Sequence, residues 1–89
     1  MYKKIKIVID NRVFECAVVP ELSGAMCGVS IDEVVRPNWF IFKKSYRGYR
    51  TFWVDDFNTI AEGVECMVKK YLADEAQALK IDNKWKELE

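Results

Sequence analysis

The chain has 89 residues, 51% hydrophobic and 31% charged, which supports one folded domain and leaves no room for a second core. Fourteen Lys+Arg balance fourteen Asp+Glu, so a generally basic nucleic-acid binder is excluded as the default, and the absence of histidine removes the commonest general base and metal ligand. The longest uncharged stretch, Leu22 to Ile31, is 10 residues, short of the ~20 apolar residues of a membrane span.

Lys3 and Lys4 precede an apolar stretch that Lys6 breaks and Asp10 closes, with no small-residue cleavage site, so no export signal is expected. Three cysteines (Cys16, Cys27, Cys66) are odd in number and widely spaced, unlike a disulfide framework. They read as reduced thiols among apolar neighbours, core or boundary filler in a cytoplasmic protein.

Tyr2 to Ile9 alternates, with Ile5, Ile7 and Ile9 on one side, as a half-buried strand does. Asp10-Asn11 is a turn dipeptide tolerant of positive φ, and Arg12 to Val19 is the returning strand. A two-residue loop sets Ile7 opposite Phe14, Ile5 opposite Cys16 and Lys6 opposite Glu15. Pro20 is expected to stop that strand, and Glu21 to Ala25 to loop around Gly24. Met26 to Val35 alternates as a third strand, with a one-turn helix opened by Ser30-x-x-Glu33 as the alternative that Arg36-Pro37 would close. Asn38 to Lys44 and Arg50 to Val54 read as fourth and fifth strands joined by a hairpin turn at Ser45–Tyr49, where Gly48 supplies an unusual φ.

Asp55, Asp56, Asn58 and Thr59 crowd a helix start, and Thr59-x-x-Glu62 is a capping box. Ile60, Val64, Met67, Val68, Tyr71 and Leu72 form one apolar stripe, with Glu62, Glu65 and Lys69 on the far face. Gly63 inside this helix points to close approach of helix and sheet. Glu75 interrupts the stripe, so the sheet is expected to end there and the helix to overhang it to about Lys80. Ile81, Trp85 and Leu88 keep helical spacing in a charged tail, 81–89. The fold class is therefore α+β: an antiparallel sheet of four to five strands, in two hairpins, packed on one long C-terminal helix, with residues 1–80 as the domain. An oligomer covering the tail or the second sheet face is expected.

Asn38 to Trp53 holds seven of the twelve aromatic residues. Between Glu33 and Asp55 there are five cations (Arg36, Lys43, Lys44, Arg47, Arg50) and no acid, whereas residues 55–89 carry five cations and nine acids. Trp39, Phe40, Phe42, Phe52 and Trp53 are readable as core strands. The tip residues have little core to fill, so Lys43, Lys44, Tyr46, Arg47, Tyr49, Arg50 and Trp53 are the expected partner-contacting residues, because Trp, Tyr and Arg anchor interfaces. Stacking rings beside cations also suit a single-stranded nucleic acid.

Catalytic and cofactor readings find little to stand on. A Ser or Cys nucleophile lacks its usual histidine base, the thiols lack metal-ligand spacing, and no glycine pattern cradles phosphate. Asp32-Glu33 would point to opposite faces of a strand, and Asp55-Asp56 is explained by helix capping. No enzyme activity, metal or cofactor is expected. V-P-E-L-S-G and G-V-S-I-D-E, from Val19 to Glu33, resemble the strand and turn that precede a long helix in partial RNase-H-like antitoxins of toxin–antitoxin pairs. Pro37 leaves no space for that helix here, and no function is carried over. The expected function is a small non-enzymatic interaction protein, an accessory or inhibitor protein of the kind found in phages and mobile elements. It binds another protein through the basic aromatic hairpin, with a single-stranded or groove-binding nucleic-acid module as the alternative.

Overall fold

The computed structural model describes residues 2–35 and 43–88, with backbone alone for Lys43–Arg47. Among the described residues, β1 (Lys3–Ile9), β2 (Arg12–Glu21), β3 (Met26–Val35) and β4 (Lys43–Trp53) form one antiparallel sheet in chain order, and α1 (Ile60–Lys86) follows. This is the α+β architecture expected from the alternating segments and the helical stripe.

The first hairpin follows local chemistry alone. Asp10 and Asn11 take φ of 50° and 64°, both positive as a two-residue hairpin turn requires. Ile7 pairs with Phe14, Ile5 with Cys16 and Lys6 with Glu15, the register read from the sequence. β2 runs through Pro20 to Glu21 instead of stopping before it. β1 pairs no further along β2 than Val18, so Pro20 has a strand on one side only, a position where a missing N–H is tolerated. The turn into β3 puts Leu22, Ser23 and Gly24 at φ of 48°, 56° and 86°. Met26–Val35 is a strand throughout, not a capped helical turn.

The largest difference lies in β4. The Ser45–Tyr49 segment, expected as a hairpin turn, is interior strand. β4 pairs along β3 from Val35–Lys43 to Met26–Trp53, with a bulge between Ile31 and Asp32 that leaves Arg47 outside the register. Gly48 sits opposite Ile31 and does not take a positive φ. Pairing with ten residues of β3 outweighs the turn preference of one glycine. The second hairpin is thus β3–β4. The expected strand residues 38–42, with Trp39, Phe40 and Phe42, lie outside the described residues, as does Arg36.

Helix α1 covers one face of the sheet. Thr59 caps it, its Oγ1 accepting the Glu62 N–H at 3.1 Å. Asp55 and Asp56, expected as capping residues, lie in a 3-10 turn, Val54–Asp56, before the cap. The core joins Phe14, Cys16 and Val18 of β2, Cys27, Val29 and Ile31 of β3, Phe52 of β4, and Val64, Met67 and Val68 of α1. Gly63 lets the helix close on the sheet: a Cβ there would lie 2.6 and 2.7 Å from Cζ and Cδ2 of Phe52. Glu65 and Lys69 form the expected i,i+4 pair at 3.8 Å on the outer side. Cys16 and Cys27 are core residues, whereas Cys66 is exposed. It lies on the helix face turned from the sheet, so its apolar neighbours in sequence are not neighbours in space.

Candidate functional site

The face of the sheet opposite α1 is left open. Strand alternation places Lys4, Lys6 and Val8 of β1, Glu15, Ala17, Val19 and Glu21 of β2, Met26, Gly28 and Ser30 of β3, and Tyr49, Thr51 and Trp53 of β4 on it. Its aromatic end lies beside the Leu22–Gly24 turn, where the Val54 N–H donates to the Ala25 carbonyl at 3.0 Å and ties the end of β4 to that turn.

Two of the expected contact residues define this end. Trp53 is 51% exposed and Tyr49 43%. The Tyr49 ring crosses β3, and its hydroxyl donates to the Glu21 carboxylate on β2. Gly28 makes room for that path: a Cβ at residue 28 would lie 2.8 Å from Tyr49 Cζ. One ring face is therefore spread over backbone and its tip is anchored, which holds the side chain in one orientation. Leu22 stands nearby in the chain's order at the turn, exposed and in the left-handed region that favours glycine.

Arg50 belongs elsewhere. It alternates onto the helix-facing side with Phe52, where Nη2 donates to Asp74 of α1 at 3.0 Å and the guanidinium stands 5.8 Å from the Tyr71 ring centroid. It acts as a clamp between β4 and α1, and its charge is balanced within the chain. Lys43, Lys44, Tyr46 and Arg47 lie on β4 by backbone. Register sets Lys43 opposite Val35, Lys44 opposite Val34 and Tyr46 opposite Asp32, and Arg47 is the bulged residue. The seven expected residues thus share one strand but not one surface.

A polar cluster was not anticipated from the sequence. Arg12, at the start of β2, donates from Nε and Nη2 to both oxygens of Glu33 on β3 at 2.9 and 2.8 Å, and from Nη1 to Glu75 of α1 at 3.1 Å. Tyr71 Oη donates to the other Glu75 oxygen at 3.1 Å. The Glu33 hydrogen bonds, then those of Glu75, raise the Arg12 pKa above its ordinary value. This fork fastens the far end of the sheet to α1. The signal was present: Glu33 alternates with Val29 and Ile31 and so faces inward, and a buried acid demands a cation. The cation is 21 residues away in sequence, and Glu75 is 63. Asp32 and Glu33 do face opposite sides of the sheet.

Burial, and secondarily the Asp32 charge, pushes the Cys16 thiol up to about 11, so it is neutral and inert at physiological pH. A mostly apolar groove of about 330 Å³ runs between the sheet and the start of α1, lined by Tyr2, Lys3, Ile5, Val18, Pro20, Cys27 and Ile60. Among the described residues no group of three or more Cys, Asp or Glu could hold a metal ion, and no described helix is long and apolar enough to cross a membrane. No protein-family model matches the chain, and neither does any curated protein or solved structure.

Proposed function

We propose that the chain is a protein-binding module whose contact surface is the aromatic end of the open sheet face, centred on Trp53 and Tyr49. The observation that carries this reading is an exposed tryptophan on the same open sheet face as a tyrosine anchored by Glu21 over Gly28. A side chain ordered before binding loses less entropy on association, and Trp and Tyr are the residue types that dominate interface energies. The local charge favours a protein over a nucleic acid. Glu21 contacts Tyr49, Glu15 shares the face, and Arg50 is turned beneath α1 and paired with Asp74. A phosphate chain at the aromatic end would meet the Glu21 carboxylate. A small chain that occupies another protein's surface serves as an accessory subunit or inhibitor, the role we assign to it. Its widely spaced, unpaired thiols suit the reducing cytoplasm.

The test is capture from extract of the source cells by immobilised wild type, Trp53→Ala and Tyr49→Ala, with and without nuclease. A defined protein retained by wild type through nuclease treatment, and at least about tenfold less by either variant, is the expected result. Equal retention by all three chains would remove this face from the reading. Retention of nucleic acid that falls steeply with salt would replace the protein partner by a nucleic acid.

A further inference from the structure

β1 is an edge of the sheet, paired with β2 and with no other described strand. Ile9 and Arg12 close the two-residue turn as a hydrogen-bonded pair. The alternation of an antiparallel ladder then gives the N–H and C=O groups of Lys3, Ile5, Ile7 and Ile9 to β2. Those of Lys4, Lys6 and Val8 point outward. The strand has no bulge and no proline, two of the devices that blunt such an edge.

On the helix side, the apolar layer stops short at β1. Phe14 and Cys16 of β2 are fully buried, whereas their β1 partners Ile7 and Ile5 are only partly buried, and Ile60 of α1 is 45% exposed. Lys3 and Ile5 line the apolar groove of about 330 Å³ there, together with Ile60. On the open side stand Lys4 and Lys6, then Val8, which is 60% exposed. β1 has three lysines and no acid. Although Glu15 stands opposite Lys6, no ion pair joins Lys3, Lys4 or Lys6 to another described residue.

We propose that the outer edge of β1 accepts an extended segment of another protein as an added strand, one that alternates apolar and acidic residues. A strand is the occupant that answers an outward row of backbone donors and acceptors. Its side chains take the same two faces as those of β1. On the helix side they fall beside Ile5 and Ile7 and continue the apolar layer. On the open side they fall beside Lys4 and Lys6, where carboxylates complement the ammonium groups. A second copy of β1 does not fit the edge, because it would set three lysines against three. A nucleic-acid strand answers the charge but neither the backbone row nor the apolar layer. β1 and β4 are opposite ends of the strand order, so this contact is separate from the one centred on Trp53 and Tyr49.

The probe is an end-capped peptide of about eight residues that alternates Val and Glu, enough to run the length of β1. Val/Lys and Ser/Glu peptides of the same length are compared with it. NMR titration of the wild-type chain is expected to show the Val/Glu peptide bound at least about tenfold more tightly than either of the others. Its binding is expected to slow hydrogen exchange at the Lys4, Lys6 and Val8 amides, while those of Ile5 and Ile7, already paired with β2, change little. Lys4→Glu places no like charge directly opposite, since residue 4 faces Ala17, and is expected to narrow the preference for Val/Glu over Val/Lys at least about threefold. No binding of the Val/Glu peptide at millimolar concentration, equal binding of either comparison peptide, or a preference unmoved by Lys4→Glu would each overturn the proposal. So would binding that leaves the three amides unprotected, or a wild-type dimer in which they are protected before any peptide is added.

Discussion

The two halves of α1 both carry apolar residues at helical spacing, on either side of Asp74 and Glu75, and meet opposite surroundings. From Val64 to Glu75 the stripe packs on the sheet: Val64 and Val68 are fully buried, and Glu75 itself is held by Arg12 and Tyr71. From Ala76 to Leu88 every residue is exposed, including Leu79, Ile81 and Trp85. Helical periodicity thus specifies a face and says nothing of what covers it. The sheet supplies the cover for the first half, and its length, set by strands of seven to eleven residues, runs out before the helix does.

The comparison can be broken by truncating one apolar residue in each half. Met67→Ala should destabilise the chain by about 3 kcal/mol, the sum of lost burial and a residual cavity, while Leu79→Ala should change stability by less than about 0.5 kcal/mol, as at other exposed sites. Urea unfolding of the two variants measures both, and equal losses would mean that the halves are not energetically distinct.

Gly63→Ala sharpens it. In an exposed helix the change would stabilise by about 1 kcal/mol, but here the new methyl meets the Phe52 ring. The overlap should outweigh the propensity gain and leave a net loss of about 1–2 kcal/mol. A higher melting temperature for this variant would show that helix and sheet are less closely apposed at Phe52.

A pH-dependent effect concerns the Cys16 thiol beneath the helix. Cys16 is raised in the folded state, so the folded chain keeps a proton that the unfolded chain releases above pH 9. Stability contributed by this group is full below that pH and falls between about 9 and 11, by about 1 kcal/mol per pH unit. Replacing Cys16 by Ala should flatten that part of the stability profile relative to wild type. An unchanged profile would mean that Cys16 ionises as readily in the fold as outside it.

Elements governed by neighbours within a few residues were legible. The Asp10-Asn11 turn, the Ile7–Phe14 and Lys6–Glu15 register, the Thr59 cap and the close approach at Gly63 each follow from a short pattern with one physical reading. The segment 43–53 was not. Gly48 and its polar neighbours suit a turn, and the aromatic and β-branched residues around them suit strands, so the same string supports two local structures. Trp53, readable either as core or as contact surface, is exposed with Tyr49, but Arg50 does not join them, because a two-residue period cannot say which face a helix will cover.

What the sequence by itself determined is an α+β chain: an alternating first hairpin in one register, a capped C-terminal helix with a continuous apolar stripe, and an aromatic, cation-rich middle. Only the tertiary structure decided that β4 pairs along β3 in place of turning on itself, that Gly28 seats Tyr49 and Gly63 seats Phe52, and that Arg12 and Arg50 serve as clamps to α1. The reason is range. Periodicity, capping and turn preference act across two to seven residues, whereas the partners that settle burial and charge here lie 21 to 63 positions apart. Until the chain has folded, those partners exert no preference that a local pattern could reveal.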